Sequence, residues 1–250
     1  IFATGTVHFC RQQPLPQLAL AIAIPYLVIV VAMGYSRQGA AIGLVLGALS
    51  YAGVGKWKRS VMLIAVAATF HLSAVVVLPF ILLSRSAGRT WIIGLALAGI
   101  VVTGYLGSAT DETARLSLYL DRGEASEGAV IRVLMNFVPA MVFLLYRHRI
   151  PLRGWFEHDL WTWISLICVA MPIALWLSPS STVIDRLALY FIPVQIVALS
   201  RLPLIFQREW YAGATAAILA YSGAVLTVWL LYSDNADAWL PYQMLPFIGG

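Results

Sequence analysis

Charged residues are scarce in this sequence, and their scarcity excludes an ordinary soluble domain. Asp, Glu, Lys and Arg together make up 11% of the 250 residues, whereas 61% are hydrophobic. A soluble domain carries about 25% charged residues, so this chain lacks the polar groups needed to cover a surface in contact with water. The mean hydropathy of +0.85 indicates that lipid surrounds most of the molecule.

Cysteine is almost absent too, which removes two classes of site. Cys10 and Cys168 lie far apart, in or beside apolar sequence, so neither a disulfide framework nor a CxxC metal site fits them. We expect both to serve packing. The net charge of +5 arises from basic residues in short loops and not from a continuous face interleaved with aromatics. It therefore predicts membrane orientation and excludes nucleic-acid binding.

The apolar residues form long runs that predict an all-α, polytopic transmembrane bundle. A bilayer core of about 30 Å requires about 20 apolar residues per helix. Eight candidate segments meet this requirement, at about 17–34, 38–55, 60–83, 91–107, 129–146, 160–178, 182–200 and 210–232. The sequence predicts a single transmembrane domain over 1–250. Because an apolar segment follows Ile1 almost at once, without a signal peptide, we expect further helices to precede this sequence.

The stretch 108–128 differs from its surroundings because it holds five of the eleven acidic residues. Leucines and a tyrosine at 116–120 predict a short amphipathic helix at the interface. The basic loops at 147–153 and 201–208 belong in the cytoplasm, and alternation then places three stretches outside, namely 108–128, 178–181 and the tail from 233. Strict alternation also makes the basic loop 56–59 external, so either a segment between 60 and 107 is re-entrant or one basic loop breaks the rule.

Four ionisable residues fall within apolar sequence, where a charge costs about 2.5–3.5 kcal/mol or more and usually marks function. They are Arg37, His71, Arg132 and Arg186. Asn136 lies at i+4 from Arg132, on the same helix face. Gln195 would face away from Arg186 on a straight helix, unless Pro193 bends the segment.

Each of these residues also has an ordinary structural interpretation. Arg37 suits a snorkelling end anchor, His71 an interhelical hydrogen bond, Arg132 a pair with the acidic stretch, and Arg186 a local pair with Asp185. Together, however, three guanidiniums and one imidazole with few buried carboxylates predict a cavity with surplus positive charge. Arginine binds phosphate in a bidentate manner and stays protonated, while a histidine can accept a proton near neutral pH. The set predicts displacement of a pyrophosphate leaving group by a hydroxyl nucleophile.

Four short motifs, in their order along the chain, resemble the EpsG family. They are YSRQGAAIGL at 35–44, ATFHLSA at 68–74, DRLALYFIPVQ at 185–195 and WLPY at 239–242. That family looks like the Wzy class of bacterial polysaccharide polymerases, related to the O-antigen ligases and GT-C glycosyltransferases. The resemblance implies polymerisation of oligosaccharide repeat units carried on undecaprenyl pyrophosphate, at the outer face of the bacterial inner membrane. It implies a GT-C-like bundle and metal-independent transfer without a cofactor, and the sequence holds no DxD motif or Asp-rich loop.

Carried onto this chain, the resemblance makes Arg37, His71 and Arg186 the expected catalytic residues. The two arginines would bind the donor pyrophosphate, and His71 would accept the proton of the attacking sugar hydroxyl. The expected substrate-binding residues, taken mainly from the polar positions themselves, are Arg132, Asn136, Asp185, Tyr190, Gln195, Trp239 and Tyr242. Arg132 would bind the second lipid's phosphate or steer the acidic stretch. Trp239 and Tyr242 suit stacking on sugars and suit interfacial anchoring equally well.

The expected partners are the lipid-linked oligosaccharide, the growing glycan chain and the lipid bilayer, with no nucleic acid. Whether a further protein regulates chain length is open. Three other classes remain open on the sequence alone: a lipid-linked oligosaccharide flippase or transporter, a membrane acyltransferase, and a structural subunit. A flippase is expected to show internal pseudo-repeats, an acyltransferase a thioester donor, and a structural subunit leaves the buried cations unexplained.

Overall fold

The computed structural model describes residues 1–84, 128–178 and 181–232, and every regular element within these ranges is a helix. In chain order the helices are α1 (Phe2–Arg11), α2 (Pro16–Ala23, continued by a π-helix at Ile24–Ala32), α3 (Ser36–Gly53), α4 (Trp57–Phe70), α5 (Leu78–Leu83, preceded by a 3-10 helix at Leu72–Val77), α6 (Ala129–Tyr146), α7 (Trp155–Leu177), α8 (Ser181–Ala188, continued by a 3-10 helix at Leu189–Phe191), α9 (Pro193–Arg201, continued by a 3-10 helix at Leu202–Ile205) and α10 (Arg208–Tyr232). The predicted all-α class is confirmed for these residues.

The predicted number of eight membrane segments is not confirmed. Within the described ranges, three helices are long and apolar enough to cross a bilayer, namely α6, α7 and α10. The pair α8 and α9, bent by 45°, makes a fourth if it is one span. Segment 17–34 is represented by the shorter apolar helix Pro16–Ala32. Segment 60–83 is broken at His71, whose backbone is extended (φ −156°, ψ 115°). Segment 91–107 and the predicted interfacial helix, apart from Gly128, lie outside the described residues.

Helix α3 lies inside the bundle, with 12 of its 18 residues buried. Gly39, Gly43 and Gly47 recur every four residues and so share one face. A Cβ on Gly39 would lie 3.3 Å from Ala32, and one on Gly43 only 2.5 Å from the Cα of Phe2. The absence of side chains therefore lets α1 and the π-helix approach the backbone of α3 closely, as small residues do between membrane helices.

The cations are distributed unequally between the two ends of the bundle. Several contacts show which helix ends lie on the same side of the bundle. The end of α1 contacts α3 through His8 and Tyr51, and the loops before α7 and after α9 through Gln12–Arg153 and Gln13–Arg201. Arg59 lies over the same Tyr51 ring, and His148 lies beside His158 of α7. Nine of the twelve Lys and Arg residues in the described ranges lie at this basic end: Arg11, Lys56, Lys58, Arg59, Arg147, Arg149, Arg153, Arg201 and Arg208. The loop 56–59 therefore shares an end with the other basic loops, contrary to strict alternation.

Candidate functional site

The end of the bundle opposite the basic end collects the candidate residues that the structure describes. Arg37 begins α3, His71 lies at the break after α4, and Arg132 lies in the first turns of α6. Residues 185–190 of α8 and its 3-10 extension pack among these elements through the contacts described below. Sequence reasoning placed these residues on four separate segments, and the structure brings the segments together at one end.

Arg132 and Asp185 form a buried, bidentate ion pair between α6 and α8. The Nε of Arg132 donates to one carboxylate oxygen, and its Nη2 donates to the other at 2.6 Å. The side chains are only 13% and 6% exposed, and the Tyr26 hydroxyl lies beside the same guanidinium. Arg132 is therefore neutralised by Asp185, and the prediction that it adds to a surplus of uncompensated charge is wrong. An unpaired buried charge is costly, which is the physical reason for the pairing.

Asn136 connects α6 to both halves of the bent pair. Its Nδ2 donates to the carbonyl of Ala188 at 2.7 Å, and its Oδ1 accepts a hydrogen bond from Gln195 at 3.0 Å. Both amide side chains are buried. Residues 188 and 195 are seven positions apart, about two helical turns, so both can face α6. Asn136 and Gln195 thus bind parts of the protein, where the sequence predicted contacts with substrate.

Two further contacts bring α3 and the His71 break against α8. Gln38, which is 4% exposed, donates from its Nε2 to the backbone carbonyl of Arg186 at 3.0 Å. The rings of His71 and Tyr190 lie 6.1 Å apart between centroids and are tilted by 41°. Tyr190 is buried. The backbone N–H of His71 donates to the carbonyl of Ala67 in α4, and the carbonyl of His71 accepts from the N–H of Ala74 in the 3-10 helix. These two bonds hold His71 at the junction of the two helices.

Arg37 and Arg186 are the two cations of this end other than Arg132 in the described ranges. Arg37 is exposed in the first turn of α3, and Arg186 is half-buried in the last turn of α8. Gln38 follows Arg37 directly and holds the carbonyl of Arg186. A hydrogen bond from the residue that follows Arg37 to the carbonyl of Arg186 therefore links the two chain segments that carry the expected catalytic arginines.

Sequence reasoning missed a second polar network, which lies at the basic end. Arg201, which the sequence assigned to a basic cytoplasmic loop, is 1% exposed. Its Nη2 donates to Glu157 at 2.8 Å, its Nη1 to the Oε1 of Gln13, and its Nε to the carbonyl of Pro151 at 3.1 Å. The signal available in the sequence was Glu157, an acid placed directly before an apolar segment. Gln38 and Tyr26 were also missed, although Gln38 follows Arg37 within a quoted motif.

Two predicted residues, Trp239 and Tyr242, lie outside the described residues. In the ranges that the structure describes, no three His, Cys, Asp or Glu side chains lie close enough together to ligate a metal ion. Cys10 and Cys168 are both buried and not disulfide-bonded.

Comparison with known proteins yields one match. The model of the EpsG family matches residues 1–244, nearly the whole chain, and confirms the resemblance inferred from the four motifs. No curated protein and no solved structure matches the sequence.

Proposed function

The chain belongs to the EpsG family, and on that basis we propose that it polymerises lipid-linked oligosaccharide repeat units by glycosyl transfer. The family and the apolar helices indicate a membrane protein of exopolysaccharide biosynthesis. The observation that carries the finer proposal is the approach of α3, the His71 junction and α8 at one end. This brings two arginines, a histidine and a tyrosine to neighbouring backbone positions. A GT-C-like architecture stays a prediction.

Arg37 and Arg186 bind the pyrophosphate of an undecaprenyl-linked donor in the proposed mechanism. As the bond between the anomeric carbon and the pyrophosphate oxygen breaks, its electron pair leaves with the lipid pyrophosphate. Guanidiniums stay charged and present forked donors, so they can stabilise this growing charge without a metal. Arg132 contributes indirectly, because its guanidinium holds Asp185, the neighbour of Arg186.

His71 accepts the proton of the acceptor sugar's hydroxyl as that oxygen bonds to the anomeric carbon. A positioned histidine typically contributes about 10²–10⁴-fold to such a transfer. Tyr190 supports this role because its buried ring lies against the imidazole and restricts its orientation. The proton balance is then complete, with a glycosidic bond formed, the donor bond broken and the proton on His71.

The charge bias of the bundle supports an orientation for this site. Nine of the twelve described Lys and Arg residues lie at the basic end, and basic loops are retained in the cytoplasm. We place the basic end in the cytoplasm and the candidate site toward the outer face of the bacterial inner membrane. Lipid-linked repeat units exposed on that face would then meet the site directly.

The test is polymerisation in proteoliposomes supplied with undecaprenyl-pyrophosphate oligosaccharide. The wild type should produce a ladder of longer glycans, and the variants Arg186→Ala and His71→Ala should abolish it while still inserting. Matched controls at the basic end are Arg149→Ala and His148→Ala, both exposed, which should retain the ladder. EDTA should leave the ladder intact. Translocation of the oligosaccharide without longer products would indicate a flippase and contradict the proposal.

A further inference from the structure

Two backbone carbonyls in the last turn of α8 are bound by side-chain amides from two different helices. The carbonyl of Arg186 accepts from Gln38 of α3 at 3.0 Å, and that of Ala188 accepts from Asn136 of α6 at 2.7 Å. Residues two apart on a helix are separated by about 200° around its axis. The two amides therefore hold the turn from nearly opposite sides. We call this pair of residues the amide clamp.

The two bound carbonyls lie directly before the break in the bent pair. Regular α-helix ends at Ala188, a 3-10 helix covers Leu189–Phe191, and Pro193 begins α9. Proline has no backbone N–H, so the helical hydrogen bond from residue 193 to the carbonyl of Leu189 cannot form. Gln38 and Asn136 are 4% and 0% exposed. The amide clamp thus holds the last turn of α8 where the hydrogen bonding of the helix itself is interrupted.

Asn136 also reaches across the break. Its Oδ1 accepts from Gln195 of α9 while its Nδ2 binds Ala188 of α8. One side chain therefore spans both limbs of the 45° bend and fixes the angle between them relative to α6. Because both polar atoms are used in this way, Asn136 acts through the backbone that carries Arg186.

We propose that Gln38 and Asn136 are positioning residues that set where Arg186 meets the donor pyrophosphate. The inference rests on the proposed function, since it assigns Arg186 to the leaving group. Bidentate binding of a phosphate requires a fixed backbone beneath the guanidinium, and a misplacement of about 1 Å can cost about 100-fold in rate. The amide clamp supplies that fixation at Arg186 itself and at the residue two positions later.

The first test measures the polymerisation kinetics of Gln38→Met and Asn136→Leu. Methionine keeps the length of Gln38 without its donor, and leucine keeps the approximate shape of Asn136 without its polar atoms and without adding a buried charge. We expect kcat to fall about 10- to 100-fold and KM for the lipid-linked donor to rise in protein that still folds and inserts, with a lower melting temperature for Asn136→Leu because a buried carbonyl is left unbound. The matched control is Gln12→Met, which removes only a carboxamide bonded to His8 at 3.1 Å. It should leave both constants unchanged.

The second test does not depend on activity. The variant Arg186→Cys is made in a background in which both native cysteines are replaced, Cys10→Ala and Cys168→Ala. The rate at which a charged thiol reagent labels the new cysteine is then compared between this variant and the same variant carrying Gln38→Met. A severalfold change in rate, absent with Gln12→Met, shows that the amide clamp fixes this turn. An unchanged labelling rate overturns the inference. Normal kcat and KM in both clamp variants also overturn it if Arg186→Ala is inactive. A wild type without any ladder refutes the proposed function, and the labelling result then still decides whether the clamp holds the turn.

Discussion

At the scale of single residues, the cost of burying charge identified the candidate positions but not their partners. Arg132 was recognised because it lies in apolar sequence, and the structure gives it Asp185, a residue 53 positions away. A contact of that range depends on how helices pack, which sequence periodicity does not reveal. The same holds for Gln38, an uncharged side chain whose partner is a backbone carbonyl and therefore has no side-chain signature.

Replacement of Arg186 by lysine tests the bidentate phosphate contact. Lysine keeps the positive charge but offers a compact point charge instead of a planar fork. We expect Arg186→Lys to lose most of the ladder, nearly as much as Arg186→Ala, because one charge-assisted hydrogen bond of the pair is lost. The rate of ladder formation in proteoliposomes is the measurement, with Arg149→Lys as the control. Near-normal rates in Arg186→Lys would argue against bidentate binding.

Reversal of the Arg132–Asp185 pair tests whether the two residues act as a unit. Breaking a buried pair costs about 3–5 kcal/mol, because one charge is left uncompensated. Arg132→Asp and Asp185→Arg should each lower the melting temperature in detergent strongly, and the double variant should recover part of the loss. Additive losses in the double variant would show that the ion pair makes no such contribution.

At the scale of helices, most segment positions were predictable, and their breaks were not. The segment predicted at 129–146 coincides with α6, and that at 182–200 became the bent pair α8 and α9. The proline-induced bend was anticipated at Pro193. The break at His71 was not, because neither glycine nor proline marks it and the apolar run continues on both sides. This unpredicted break is one reason why the sequence suggested more membrane-spanning helices than the structure supports.

The glycine face of α3 provides a prediction about packing. A Cβ at Gly43 would lie 2.5 Å from the Cα of Phe2, so Gly43→Ala must displace α1. We expect a loss of about 1–3 kcal/mol, typical of overpacking, measured as a lower melting temperature. Gly223 of α10 has nothing within 4 Å of such a Cβ, so Gly223→Ala should leave the melting temperature equal or higher. Equal effects of the two substitutions would contradict the close approach of α1 and α3.

At the scale of the whole molecule, two buried polar networks lie at opposite ends of the bundle. One consists of the Arg132–Asp185 ion pair and, one turn further along α6, the hydrogen bond between Asn136 and Gln195, and the other joins Arg201 with Glu157 and Gln13. The first network lies beside the candidate site, whereas the second holds the C-terminal end of α9 against α7 and the chain after α1. The sequence indicated basic loops, but it assigned Arg201 to such a loop because the residue follows an apolar run, and it did not reveal the burial of this side chain.

The network at the basic end should matter for stability and not for chemistry. Arg201→Ala leaves Glu157 buried without its cation and should cost about 3–5 kcal/mol. The double variant Arg201→Met with Glu157→Leu removes both charges, and apolar replacement of a buried pair is often neutral. We therefore expect its melting temperature to exceed that of Arg201→Ala and its ladder to be retained. Loss of the ladder in a stably folded double variant would extend the functional site to the basic end.

The central claim is that lipid pyrophosphate binds at the end holding Arg37, His71 and Arg186. The most direct measurement is photo-crosslinking with a diazirine-bearing polyprenyl pyrophosphate analogue, followed by mapping of the adducts by mass spectrometry. The account predicts adducts in the first turn of α3 and in α8, lost in Arg186→Ala and preserved in Arg149→Ala. Adducts at the loop 147–153, or adducts in α8 that persist unchanged in Arg186→Ala, would contradict it.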